Sequence, residues 1–277
     1  MRTLISFLLI CGVLPVMAQQ QIEVKIEERP SSIGIRPAFE MAVPQATAGD
    51  AIELWKQTII QRNLFKKTPK MEKIKDEWWV NNLVISDITS MPLNVVTQVS
   101  SFSDHIYVRV FLQSEGGFLG SPGSLERTNV AAAQYIRKYG VELYRQAVGK
   151  ELKAEERVLQ KLENDMKKLL KKNKSYGNKI EDVQLEKGAL YDEAGYQRLL
   201  LGNTQSNQLG VIGETPRADV ENKLKSTEKE IKKAEKAEKK YKRRVGKNEK
   251  AQRDKATEIN RQSTKIADIR TKLNNIR

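Results

Sequence analysis

The stretch KELKAEERVLQKLENDMKKLLKKNKSYGNKIEDV, residues 150–183, sets Leu152, Leu159, Met166, Asn173 and Ile180 seven positions apart. Leu162, Leu169, Tyr176 and Val183 lie three positions further on. Alternating intervals of three and four keep one stripe of a helix turned toward a partner helix, the requirement for a coiled coil. A second stretch carries Val220, Leu224, Ile231, Tyr241, Val245, Ile259, Ile266, Ile269, Leu273 and Ile276 in one a/d register. Between the two lie Gly188, Gly195, Gly202, Gly210, Gly213 and Pro216, which read as a connector that still contains a short helical piece, Leu190 to Leu201. Two arms of similar length joined in this way predict an antiparallel helical hairpin. In that layout Ile180 falls near Leu224, Leu159 near Val245, and residues 266–276 beside Val130 and Val141.

Upstream of the arms the pattern changes. All six Phe and all three Trp precede Thr128, so the large core formers belong to the first half of the chain. Ile22, Val24 and Ile26 alternate with polar residues and predict a strand, broken by Arg29-Pro30-Ser31-Ser32 before a second strand over 35–43. Thr47-Ala48-Gly49-Asp50 has the form of a capping box and opens a helix bearing Ile52, Trp55, Ile59 and Ile60, ended by 66–69. Strands over 71–75 and 78–85 follow. Residues 93–101 and 106–113 form a hairpin around Phe102-Ser103-Asp104-His105. Residues 115–124 read as a loop and Thr128 as the N-cap of the long helix. The expected class is α+β: an antiparallel sheet in the β-α-β(4)-α order of TBP-like folds, with one extra strand in front, followed by the long antiparallel coiled-coil hairpin. The TBP-like likeness is one of topology and implies no nucleic-acid binding.

The expected organisation is a signal peptide at 1–18, an α+β domain at 19–127, a first arm at 128–187, a Gly-rich connector at the hairpin tip at 188–216, and a basic second arm at 217–277. Arg2, the apolar run from Leu4 to Leu14, and Val16-Met17-Ala18 before Gln19 carry the signal-peptide reading. Cys11 sits in mid-core behind the bulky Ile10, unlike a lipoprotein cysteine, and a chain cleaved after Ala18 keeps no cysteine. No other segment has the roughly 20 apolar residues of a membrane span. The expected location is the periplasm or the exterior.

The net charge is +14, and most of it lies at the end. Residues 217–277 hold 21 Lys and Arg against 10 Asp and Glu, an excess of +11. The densest run is Lys239, Lys240, Lys242, Arg243, Arg244 and Lys247, with no acid between Glu238 and Glu249. A run of this kind is either a solvated helix face, partly offset by Glu163 and Asp165 on the facing arm, or a surface for anionic head groups. No nucleic acid is expected as partner, because stacking aromatics do not accompany the run.

Catalytic chemistry finds little footing. His105, the single histidine, stands beside Asp104 and Ser103, but adjacent turn residues cannot form a nucleophile–base–orienter line. One histidine is too few for a zinc site, so no metal or other cofactor is expected. The loop from Gly116 to Ser124 lacks the Gly-Lys-Ser/Thr ending of a phosphate loop. Trp78 and Trp79, neighbours on a strand, must face opposite sides of the sheet. One of them either anchors a partner or a sugar ring, or is covered by the extra N-terminal strand. Leu199-Leu200-Leu201 is a further candidate anchor.

Leu54-Trp55-Lys56, Asp76-Glu77-Trp78, Gly116-Gly117-Phe118-Leu119, Lys179-Ile180-Glu181 and Lys247-Asn248-Glu249 resemble passages of a group of uncharacterised secreted proteins of Bacteroidetes, in which a small β-rich domain precedes a basic coiled-coil tail. Residues 188–216 look like an insertion relative to that pattern. The resemblance implies no activity. The arms also resemble, in architecture, those of basic periplasmic chaperones. The reading that emerges is a non-enzymatic envelope protein, a scaffold or tether whose partners are envelope proteins or an anionic surface of lipid or lipopolysaccharide head groups. The alternative is a periplasmic holdase. Asn173, Asn248, Gln252 and Gln262 make the seam weak and leave association between chains open.

Overall fold

The computed structural model describes residues 22–60, 69–206 and 217–277. The expected signal peptide, residues 66–68, Gly210, Gly213 and Pro216 lie outside the described residues. The chain forms two compact units, Met1–Ala154 with Ala267–Arg277, and Glu155–Ile266.

The first unit is α+β. Its strands are β1 (Val24–Ser31), β2 (Gly34–Pro44), β3 (Met71–Ile74), β4 (Glu77–Leu83), β5 (Leu93–Ser101), β6 (His105–Ser114) and β7 (Gly117–Phe118). They form one antiparallel sheet in the order β1-β2-β6-β5-β4-β3, with β7 paired to β6. Helix α1 (Ala48–Ile59) lies between β2 and β3 in the chain. It starts as its sequence dictates, with Thr47 Oγ1 accepting from the Asp50 amide at 3.2 Å. Two expectations shift. β1 runs on through Arg29 and Pro30, because an edge strand tolerates the missing amide hydrogen of proline. The expected loop over 115–124 contains β7.

Alternation sorts the side chains. Phe39, Met41, Val43, Val95, Val108, Val110 and Leu112 are buried on one face of the sheet with Trp55 of α1 and with Ile136, Tyr139, Leu143 and Tyr144. The latter four belong to the first turns of helix α2 (Glu126–Ser206), which begins two residues ahead of the expected cap at Thr128. Tyr139 donates its hydroxyl to the Ala51 carbonyl at 2.7 Å and meets the Trp55 ring edge-on at 4.7 Å. Gly140 permits this packing: a Cβ there would lie 2.5 Å from Met41 Sδ and 2.8 Å from Ile22 Cγ2. Ile269, near the end of helix α3 (Arg217–Asn275), and Ile276 just beyond it close the same core. Arg145 Nη2 donates to the Ile276 carbonyl at 3.0 Å, and Lys272 Nζ sits 5.5 Å from the Tyr144 ring centre. That end meets α2 around residue 145, further along than the expected Val130 and Val141.

On the opposite face of the sheet Ala38, Val96 and Phe111 are buried under Ile33 and Trp79. Glu77 fastens this cover. Its carboxylate accepts from the Ser32 amide at 2.8 Å, the Ser32 hydroxyl, Gln98 Nε2 at 2.8 Å and Trp79 Nε1 at 3.1 Å. Burial alone would raise the Glu77 pKa, but these donors hold it below the usual carboxylate range. Glu40, between Arg29 and Arg109, is lowered against its burial in the same way.

The second unit consists of the remainder of α2 and α3. Their contacts run in opposite chain directions: Glu155 with Gln262 and Lys265, Asn173 with Asn248, Lys187 with Glu238, Arg198 with Glu228. Glu155 would meet Glu249 if Leu159 stood beside Val245, so the pairing expected from the heptads is displaced by about two repeats. The cause is visible in α2. The helix passes through Gly188, Gly195 and Gly202 to Ser206, where a connector was expected from Gly188 onward. Its three–four spacing continues past Val183 through Lys187, Leu190, Ala194, Gln197 and Leu201, all buried or half-buried. The heptad therefore outlasts the first three glycines, each of which costs about 1 kcal/mol relative to alanine.

Candidate functional site

The basic run of α3 is built by its heptad. Ile231, Ala234, Glu238, Tyr241, Val245 and Asn248, at intervals of four and three, are buried or half-buried, and the residues between them other than Ala237 are exposed. Lys236, Lys239, Lys240, Arg243, Arg244 and Lys247 follow at intervals of three and one, which puts them on one side of the helix. They line a single open groove about 16 Å long at 1.5 Å per residue. None of the six makes an ion pair with a carboxylate among the described residues; Arg244 lies instead over the rings of Tyr176 and Tyr241, 5.8 and 5.9 Å from their centres.

Two sequence assignments are refined. Lys242, grouped with the run, points away from the groove and pairs with Glu238 at 2.7 Å. Lys236, outside the sequence grouping, joins it. On the solvated-face reading, Glu163 and Asp165 would offset part of the run. Asp165 instead pairs with Lys168 of its own helix at 3.1 Å, and its charge acts on Lys255.

Beside the groove lies a group that sequence reading missed. Glu238 occupies a seam position, where an apolar side chain is the norm. Lys187 Nζ bonds it at 2.6 Å and Gln184 Nε2 at 3.1 Å, both from α2, and Lys242 completes the cage. Hydrogen bonds from Lys187, then Lys242, then Gln184 push its pKa down to about 2. Lys187 is also a seam position, so the signal was an acid and a base both at seam spacing on the two arms.

The other candidates lie elsewhere. Trp78 and Trp79 are both half-buried and face opposite sides of the sheet: Trp79 packs on the Ala38–Phe111 cluster, and Trp78 carries Lys73 Nζ at 5.7 Å from its ring centre. Leu199 is 67% exposed, whereas Leu200 and Leu201 are half-buried, Leu201 at a seam position. His105 Nδ1 and Asp104 Oδ1 are 2.6 Å apart, and the imidazole stacks on Phe102. No group of three or more metal-ligating side chains gathers among the described residues, and no described helix is long and apolar enough to cross a membrane. The chain matches no protein-family model, no curated protein and no solved structure.

Proposed function

We propose that the protein is a non-enzymatic scaffold or tether of the cell envelope, secreted or periplasmic, in which an α+β domain of TBP-like β-α-β(4)-α order carries an antiparallel coiled-coil hairpin that binds an anionic partner. The observation that carries this reading is the groove of α3, six exposed cations on one helix side without a carboxylate partner among the described residues. Fixed cations in that density attract anionic surfaces and concentrate them locally. The hairpin is supported by the opposed contacts of α2 and α3, from Glu155–Lys265 to Arg198–Glu228.

Retention of the chain from Gln19 onward on vesicles containing anionic lipid, or on lipopolysaccharide, tests the reading across a salt series. Replacing the groove cations Lys236, Lys239, Lys240, Arg243 and Lys247 by Gln should weaken retention while helicity stays intact, since none of them fills the seam. Exposed charges are screened beyond about 8 Å at physiological salt, so wild-type retention should fall as salt rises. Equal, salt-insensitive retention of both proteins would reduce the run to a solvated face. A second reading, a holdase for envelope proteins, is favoured by the exposed Leu185, Tyr191, Tyr196 and Leu199 of α2. Stoichiometric suppression of the aggregation of an unfolded outer-membrane protein would distinguish it.

A further inference from the structure

The observed register brings a second basic run beside the first. Between Asp165 and Glu181 α2 has no acid, and four of its lysines, Lys171, Lys172, Lys174 and Lys179, are exposed in the part that meets α3. Four contacts fix the juxtaposition. The Tyr176 and Tyr241 rings are 6.5 Å apart, Asn248 Nδ2 donates to the Leu169 carbonyl at 2.8 Å and to Asn173 Oδ1 at 3.2 Å, and Lys179 Nζ lies 5.6 Å from the Tyr241 ring centre. With the six cations of the α3 groove, ten positive charges crowd about 20 Å of paired helix.

Their directions matter as much as their number. α2 faces its partner through Asn173, Tyr176 and Ile180, so Lys171 and Lys174 stand on the side of α2 away from α3. The groove cations other than Arg244, which reaches over the Tyr176 ring, stand on the side of α3 away from α2. A flat charged surface can touch one of these sides, whereas a flexible chain can follow both. The seam between them is weak: Asn173, Tyr176, Tyr241 and Asn248 replace aliphatic residues, and Gly177 and Gly246 lie alongside. Like charges on both outer sides of so weak a pair oppose its closure, and a bound polyanion would offset the repulsion.

We propose that this segment is a collar for a flexible linear polyanion, a chain of closely spaced phosphates such as polyphosphate, which wraps both helices. The proposal rests on the reading that the basic hairpin binds an anionic partner, and narrows that partner. Phosphate chains are favoured over single-stranded nucleic acid because both tyrosines of the collar are half-buried in the seam under Arg244, leaving no open ring for base stacking.

The test uses the chain from Gln19 onward with long-chain inorganic polyphosphate, orthophosphate, anionic-lipid vesicles and single-stranded DNA of equal charge, across a salt series. Two variants are compared with wild type, Lys171→Gln/Lys172→Gln/Lys174→Gln on α2 and Lys239→Gln/Lys240→Gln/Arg243→Gln on α3, with helicity measured for each. Expected is salt-dependent binding of polyphosphate, none of orthophosphate, and at least about tenfold weaker binding in each variant. The slope of log affinity on log salt should flatten by about 2 in each, at roughly 0.7 per lost contact on a single strand. Unchanged polyphosphate binding in the α2 variant overturns the collar while leaving an anionic partner on α3. Tighter binding of DNA than of polyphosphate overturns the choice of polymer. Vesicle binding without polyphosphate binding assigns the groove to a flat surface and overturns the collar. Failure of wild type to bind any of the four removes the underlying reading as well.

Discussion

Tyr176 of α2 and Tyr241 of α3 face each other with ring centres 6.5 Å apart, and Arg244 caps both rings. This pair marks the register of the second unit, in which Asn173 also meets Asn248 and Lys187 meets Glu238. It places the two basic runs together, whereas the pairing of Leu159 with Val245 would have placed the α3 run near Glu163 and Asp165. The charge of the arm is concentrated, where the solvated-face reading has it partly neutralised. Coupling of register to charge is therefore the central feature of the molecule.

The glycines of α2 should separate by position. Gly140→Ala forces a methyl to within 3 Å of Met41 and Ile22 in the core and should destabilise by about 1–3 kcal/mol. Gly177→Ala meets nothing within 4 Å in a helix interior and should stabilise by up to about 1 kcal/mol. Thermal melts of the two variants should move in opposite directions. A shift in the same direction would mean that α2 does not approach β2 as described.

Glu77→Ala should loosen the cover of Ile33 and Trp79. It removes the acceptor of Ser32, Trp79 and Gln98 together, a loss of about 2–3 kcal/mol for a charged acceptor. Chemical denaturation should show the loss, and Trp fluorescence of the native state should report greater exposure of Trp79. Stability within 0.5 kcal/mol of wild type would contradict the assignment.

Glu238 should give the second unit an acid-sensitive element. Its folded value of about 2 lies below the ordinary 4.5. The stability it adds is therefore present above the ordinary value and is lost as pH falls toward 2. Wild type should exceed Glu238→Gln in helix stability at pH 6, and the gap should close between about pH 4.5 and 2. A gap that stays constant to pH 2 would show that Lys187 and Lys242 do not depress this carboxyl.

The strands were legible because each has one apolar face: Val95 and Leu112 go to the main core, and Val96 and Phe111 to the small one. The Thr47 cap was legible because a hydroxyl three residues ahead of an amide has one obvious use. The register of α2 against α3 was not, since a heptad repeat fixes which side faces the partner but leaves sliding by whole repeats open. The information lay in polar seam residues, Lys187 with Glu238 and Asn173 with Asn248, whose pairing the repeat itself does not specify. The basic run of α3 was legible as a run, but its side was not, since Lys242 leaves the groove and Lys236 joins it. That the basic stretch of α2 falls at the same level of the helix pair could not be read, because it depends on that register.

Intramolecular disulfide formation tests the register most directly. In the chain from Gln19 onward, which has no other cysteine, the pair Asn173→Cys/Asn248→Cys should oxidise rapidly to a monomeric crosslink under mild conditions, and Leu159→Cys/Val245→Cys should not. Rapid crosslinking of the 159–245 pair in monomers, with the 173–248 pair remaining reduced, would contradict the register and with it the meeting of the two basic runs.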